Sequence, residues 1–140
     1  MSVDFIDSNV FVYLFDEADP RKHGIARRVV EAALADASGV VSFQVVQETL
    51  NVLTRKLRVP TLPADAVAFM QDTLAPLWQV QPSPALYETA VHLQERAGFS
   101  FYDALIVAAA LEAGCKRLLT EDLQHGQRVE GLRIENPFKT

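Results

Sequence analysis

Cysteine is almost absent: Cys115 is the only one in 140 residues, which excludes a disulfide framework and a cysteine zinc site. A reducing cytoplasm is the expected setting. The start of the chain carries Asp4 and Asp7 rather than a basic stretch, which argues against a secretory leader. Long apolar runs are lacking too. None approaches the roughly 20 residues that a membrane helix needs, so no bilayer span and no membrane partner are expected. Neither G-x-x-x-x-G-K-[ST] nor G-x-G-x-x-G occurs, which removes the P-loop and dinucleotide enzymes. His23, His92 and His125 lack a ligand spacing such as H-E-x-x-H, so ordinary surface or partly buried roles are assigned to them.

Positive charge is in short supply, with 13 Lys and Arg against 18 Asp and Glu and a net charge of -5. That disfavours a protein that grips nucleic acid over its whole surface, but leaves room for phosphate bound through metal ions and a few local bases. The basic clusters Arg21-Lys22, Arg27-Arg28, Arg55-Lys56-Arg58 and Lys116-Arg117 read as solvated helix ends. What remains is ordinary for a globular domain: 49% hydrophobic and 22% charged residues. The length fits a single domain, residues 1–140, burying roughly two-thirds of its unfolded surface.

Val3 to Ile6 reads as a short buried strand, and Ser8-Asn9 breaks it before the apolar run Val10 to Phe15 begins. Asp7 therefore stands at a strand's carboxyl end, where open α/β sheets collect ligands; capping of the next helix by Asp7 or Ser8 is the plainer alternative. Asp19-Pro20 predicts a helix start, with apolar spacing to about Asp36. Gly39 to Ser42 reads as a strand whose last residue caps a helix from Phe43 to about Leu57. A helix from about Ala64 to Leu74, stopped near Pro76, and a third strand at Trp78-Gln79-Val80 follow. The next helix carries Leu86, Ala90, Leu93 and Ala97 and ends at Gly98. Ser100 to Glu112 predicts a helix buried all round from Ala104 to Leu111. Strands are expected at Arg117 to Thr120 and around Leu132 to Ile134. Short strands separated by helices imply a parallel sheet covered on both faces. Phe11, Tyr13, Phe15, Phe43 and Val52 are expected in the core, with an interface as the alternative.

Four acids lie at strand ends or beside apolar surroundings: Asp7, Glu48, Asp103 and Asp122. Ionised carboxylates about 4 Å apart repel by about 4 kcal/mol at an effective dielectric near 20. A fold that gathers them needs protons or a cation among them. Oxygen donors without Cys or paired His suit Mg²⁺ or Mn²⁺ rather than zinc. Spacing alone does not bring the four together, since Ser100 to Asp103 has the form of a capping box and Thr120 to Asp122 that of a polar turn.

Asp7-Ser8-Asn9-Val10 after a strand, Gln47-Glu48 on the third predicted helix, Ser100-Phe101-Tyr102-Asp103-Ala104-Leu105-Ile106 and Leu119-Thr120-Glu121-Asp122 resemble, in this order, the PIN domain family, most nearly its VapC-type toxins of bacterial toxin-antitoxin pairs. The resemblance implies an α/β fold of three layers, α/β/α, with a central parallel sheet. It implies a Mg²⁺-dependent endoribonuclease in which Asp7, Glu48, Asp103 and Asp122 bind the metal, with Ser8, Asn9, Ser100 and Thr120 orienting their oxygens. It also implies an RNA substrate, a homodimer and a cognate antitoxin. Relatives often read Thr-x-Asp-x-Asp-Phe in the last block, whereas this chain has Thr120-Glu121-Asp122-Leu123-Gln124-His125, so Glu121 competes with Asp122 for the fourth place. Two other readings stand beside it: a non-catalytic PIN-like module that binds RNA or protein, and a haloacid dehalogenase-type phosphatase, which Asp7-Ser8-Asn9 fits poorly for want of D-x-D.

Overall fold

The computed structural model describes residues 2–140. Its centre is a sheet of six short strands: β1 (Asp4–Ile6), β2 (Gly39–Ser42), β3 (Trp78–Val80), β4 (Arg117–Leu119), β5 (Arg128–Val129) and β6 (Leu132–Glu135). They lie in the order β3-β2-β1-β4-β6-β5, and every pairing is parallel except that of β5 with β6. The chain moves outward from β1 through β2 to β3, then returns to the far side of β1 for β4. In such sheets the crevice between the two strands where direction reverses is the usual ligand position. Here that crevice lies between the ends of β1 and β4.

Local signals explain most of the helices. Helix α1 (Ser8–Val12) starts at Asp7, whose side chain accepts from the Ser8 N–H. Asp19 caps α2 (Pro20–Asp36) through the Lys22 N–H, with Pro20 at the first turn. Ser42 caps α3 (Phe43–Asn51), and Ser83 caps α6 (Pro84–Ala97), which ends at the left-handed Gly98. Ser100 caps α7 (Phe101–Glu112), whose residues Ala104 to Ala110 are all buried. Helix α3 runs on through a π-helical turn, Val52–Lys56, closed by the Leu57 N–H on the Val52 carbonyl at 3.1 Å. Helix α4 (Pro63–Phe69) likewise continues through Met70–Leu74 into α5 (Ala75–Leu77). The helical run ends at Leu77, one residue past Pro76, as the sequence predicts.

Helix α2 covers one face of the sheet, burying Ala26, Val30 and Ala33 and packing on β2, while Val29 and Ala32 edge a cleft shared with Ile6 and Leu119. The approach is closest at Gly39, where a Cβ would stand 2.7 Å from that of Ala33 and 3.1 Å from Cδ1 of Ile6. No side chain larger than hydrogen fits there without moving α2. The other face carries Phe5, Leu118 and Ile134, all 0% exposed, and α7 packs on β2 and β4. The expectation of a parallel sheet buried on both faces needs correction at one edge. β5 and β6 form an antiparallel hairpin, and β6 alternates buried Leu132 and Ile134 with half-buried Arg133 and Glu135. That alternation belongs to a strand packed on one side only. Phe11 and Phe43 are core residues as expected, while Tyr13, Phe15 and Val52 are half-buried. Cys115 is buried, which pushes its thiol up to about 12, and Asp4 adds to the shift. Among the described residues no helix is long and apolar enough to cross a membrane.

Candidate functional site

The Asp7 N–H donates to the Leu119 carbonyl at 3.0 Å, so the ends of β1 and β4 set Asp7 and Thr120 side by side. Both are buried, Asp7 at 5% and Thr120 at 0% exposure. One Asp7 oxygen accepts from the Ser8 N–H at 2.7 Å; the other accepts from the Thr120 hydroxyl at 2.8 Å. Burial raises the Asp7 pKa from 3.8 to about 7. The hydrogen bonds from Thr120 and Ser8 oppose the shift, and the negative charges of Glu48 and Asp122 add to it.

Glu48 reaches this point from α3. Its Oε2 accepts from the Ser8 hydroxyl at 3.0 Å and its Oε1 from Nε2 of Gln44 at 2.8 Å. The same Gln44 nitrogen donates to the Tyr102 carbonyl at 3.1 Å, tying the start of α7 to α3. Gln44 is 4% exposed, and its Oε1 has no hydrogen-bond partner among the described residues. Sequence reasoning missed Gln44. Its only signal was its position one helical turn before Glu48 on the same face.

Asp122 is joined to Asp7 through Asn9 and Thr120. Asn9 Nδ2 donates to Asp122 Oδ2 and to Thr120 Oγ1, each at 3.1 Å, and the Asp122 N–H donates to Thr120 Oγ1 at 3.1 Å. The Thr120 hydroxyl thus accepts two hydrogen bonds while giving its proton to Asp7. Replacing it by valine keeps the shape and removes all three. For Thr120→Val we expect the Asp7 pKa to be driven higher, because the strongest hydrogen bond holding it down is lost. An NMR titration of the Asp7 carboxyl with its midpoint displaced upward in the variant is the corresponding measurement.

Glu121 belongs to a different group. It accepts from the Tyr13 hydroxyl at 2.6 Å and pairs with Lys22 Nζ at 2.9 Å, and Lys22 also donates to the Tyr13 oxygen at 3.1 Å. These bonds to Glu121 and Tyr13 hold the Lys22 ammonium well above its ordinary pKa. Lys22, read from the sequence as a solvated helix end, therefore lies beside the candidate site. Of the two neighbouring acids, Glu121 has its own cation, and Asp122 shares the hydrogen-bond chain with Asp7.

Asp103 and Ser100 are less engaged. The Asp103 N–H donates to the Ser100 hydroxyl at 3.3 Å, so Ser100 acts as the cap of α7. The half-buried Asp103 carboxylate makes no hydrogen bond to the other three acids among the described residues, where no group of three His, Cys, Asp or Glu converges as a metal cage. Glu48 and Asp122 do bear on Asp7 electrostatically. A cleft of about 300 Å³ opens here, lined in part by Ser8, Asn9, Asp16, Glu121 and Asp122. The donor set suits a hard divalent cation by chemistry. Its donors are all oxygen, its central carboxyl is buried and ionises only at some cost, and a buried acceptor, Gln44 Oε1, lacks a donor.

Several solved structures share this arrangement of strands and helices. Mycobacterium tuberculosis VapC20, described as a toxin cleaving the sarcin-ricin loop, is 26% identical over 82% of this chain and 86% of its own, with a TM-score of 0.59. A toxin-antitoxin complex from Klebsiella pneumoniae is 16% identical over 98% of this chain and 99% of that one, with a TM-score of 0.68. VapBC2 from Rickettsia felis, bound to a DNA fragment from its promoter, is 17% identical over 96% and 98%, with a TM-score of 0.66. No curated protein matches the sequence. The family description that does match it is "PIN domain", over residues 5–130, a span that includes Asp7, Glu48, Asp103 and Asp122, and the chain belongs to that family.

Proposed function

We propose that this PIN domain is a Mg²⁺-dependent endoribonuclease, a VapC-type toxin, with Mn²⁺ able to replace Mg²⁺. The observation that carries the reading is the buried Asp7 carboxyl at the switch point of the sheet, hydrogen-bonded by Ser8 and Thr120 and flanked by Glu48 and Asp122. Asp7, Glu48, Asp122 and, from the start of α7, Asp103 would hold the cation. When bound, the cation supplies Lewis acidity to the phosphoryl oxygens and lowers the pKa of a coordinated water.

The chain's own residues then have distinct tasks. Thr120 and the Ser8 N–H fix the two Asp7 oxygens, so little reorganisation is left for the reacting state. Gln44 and the Ser8 hydroxyl hold the Glu48 carboxylate, and Asn9 holds Asp122 against Thr120. Water attacks phosphorus as the bond to the 3′ oxygen breaks, leaving a 5′-phosphate and a 3′-hydroxyl.

The VapC reading is supported by the toxin and toxin-antitoxin descriptions of similar structures, from which we take a cognate antitoxin as partner; the homodimer is proposed from the family resemblance alone. The chain also exposes Val59, Leu62 and Val67 near an apolar cleft of about 610 Å³ between α3 and α4, surface of the kind that a protein partner covers. Incubation of purified protein with structured RNA and Mg²⁺ tests the activity. Cleavage giving 5′-phosphate ends and stopped by EDTA is expected; intact RNA under all conditions would leave a binding module that does not cut.

A further inference from the structure

On the α2 side of the sheet, the register sets four charged residues in one row across four strands. Asp4 of β1 is opposite Arg117 of β4, Arg117 is opposite Arg133 of β6, and Arg133 is opposite Arg128 of β5. Paired residues project from the same face, so three arginines stand in neighbouring strands about 4.8 Å apart. Like charges directly opposite each other destabilise a sheet. Only part of this charge is answered internally. Arg117 grips both oxygens of Asp4, at 3.0 and 2.6 Å, and Glu135 takes both Arg117 and Arg133. Arg128 and Lys116 have no carboxylate partner among the described residues, and both are exposed. The three arginines and Lys116 line one cleft of about 400 Å³.

This cleft lies at the amino ends of the strands. Asp4 precedes Asp7 by three residues, which places the near end of the row about 10 Å from the acidic site along the sheet, with Arg128 roughly 14 Å farther across it. Four cations against Asp4 and Glu135 make it locally positive in a chain of net charge -5. A protein whose reactive cleft is itself acidic repels a polyanion there and needs a separate grip for it.

We infer that the row of Arg117, Arg133 and Arg128, with Lys116, binds the phosphodiester backbone of the RNA strand beyond the acidic cleft. Guanidinium forks match phosphate oxygens, and arginines repeated from strand to strand suit a ligand with repeated charges. The ribonuclease reading enters only in naming the polyanion as RNA. Lys116 and Arg128 take part in no ion pair, so Lys116→Glu with Arg128→Glu alters the row without breaking the Asp4–Arg117–Glu135 network.

The test is the fluorescence anisotropy of a labelled single-stranded RNA, in EDTA to prevent turnover, over a series of KCl concentrations. The double variant should bind about tenfold more weakly, and its slope of log K against log salt should be shallower by about 1.4, the value for two lost phosphate contacts. Its kcat on a dinucleotide, too short to reach the row, should equal that of wild type. Unchanged affinity and slope would overturn the inference. So would displacement of the RNA by inorganic phosphate, which would mark a small-anion site, or by polyglutamate, which would mark an acidic protein's docking surface. Weakened RNA binding in the variant, in a chain that never cuts RNA, would support the row and defeat the ribonuclease.

Discussion

Asp7→Asn should reduce RNA cleavage about a thousandfold or more, corresponding to several kcal/mol of lost stabilisation of charge in the reacting state. The same change should stabilise the metal-free protein above neutral pH. In the folded state the Asp7 pKa is about 7, against 3.8 for a free carboxyl. Between those values the folded chain holds a proton that the unfolded chain releases, so this group favours folding fully below about pH 4. The contribution is then lost as pH rises through 7, amounting to about 4 kcal/mol by pH 8. Asparagine carries no charge at any pH. Thermal unfolding of wild type and variant in EDTA should therefore nearly coincide at pH 4 and separate steadily toward pH 8, with the variant the more stable. Cleavage by the variant at the wild-type rate would remove Asp7 from the reaction, and parallel stability curves would remove the buried-charge account.

The second large effect is metal linkage. A cation that binds only the folded chain stabilises it by RT ln(1 + [M]/Kd), about 2.7 kcal/mol at a hundred times Kd. Its binding needs Asp7 ionised, so protons compete with it. Millimolar Mg²⁺ or Mn²⁺ should raise the melting temperature by several degrees at pH 8 and much less at pH 5, where Asp7 is protonated. Calcium serves as the comparison, since it is larger and takes more ligands. A melting temperature indifferent to Mg²⁺ and Mn²⁺ at pH 8 would mean that these carboxylates do not hold an ion. Asp7→Asn should lose most of the response while keeping its fold.

Much of the architecture is written in short stretches of the sequence. Asp19-Pro20, Ser42, Ser83-Pro84 and Ser100 open helices because each supplies a cap within a few residues of the amides it satisfies, and Gly98 closes one for a similarly local reason. The strands from Phe5 to Val80 show as compact apolar runs. What escaped notice depends on partners distant in the chain or on weak turn chemistry. The β5–β6 hairpin turns on Glu130 and Gly131, both at positive φ, and glutamate there carries none of the Asn-Gly or Asp-Gly signature of such turns.

The candidate site divides in the same way. That positions 7, 48, 103 and 122 hold candidate acids was legible from their surroundings, but which side chains are linked was not: Asp7, Glu48 and Asp122 share one hydrogen-bonded chain through Ser8, Asn9 and Thr120, and Asp103 stands outside it. The Lys22–Glu121 pair spans 99 residues and the Arg117–Asp4 pair 113, so no local window holds both members. Ser100 is legible from its neighbours alone: the local pattern predicts a cap, and its hydroxyl caps α7 through the Asp103 N–H.

The hydrogen bond from Thr120 to Asp7 joins residues 113 positions apart, across a strand pair that does not exist until β4 is made. A ribosome translating this message has added more than a hundred residues after Asp7 before that bond can close. Prematurely ended products that stop short of Thr120 carry Asp7 without its hydroxyl donor and β1 without the neighbour that sets it in place. Truncated translation products are thereby denied the assembled cleft.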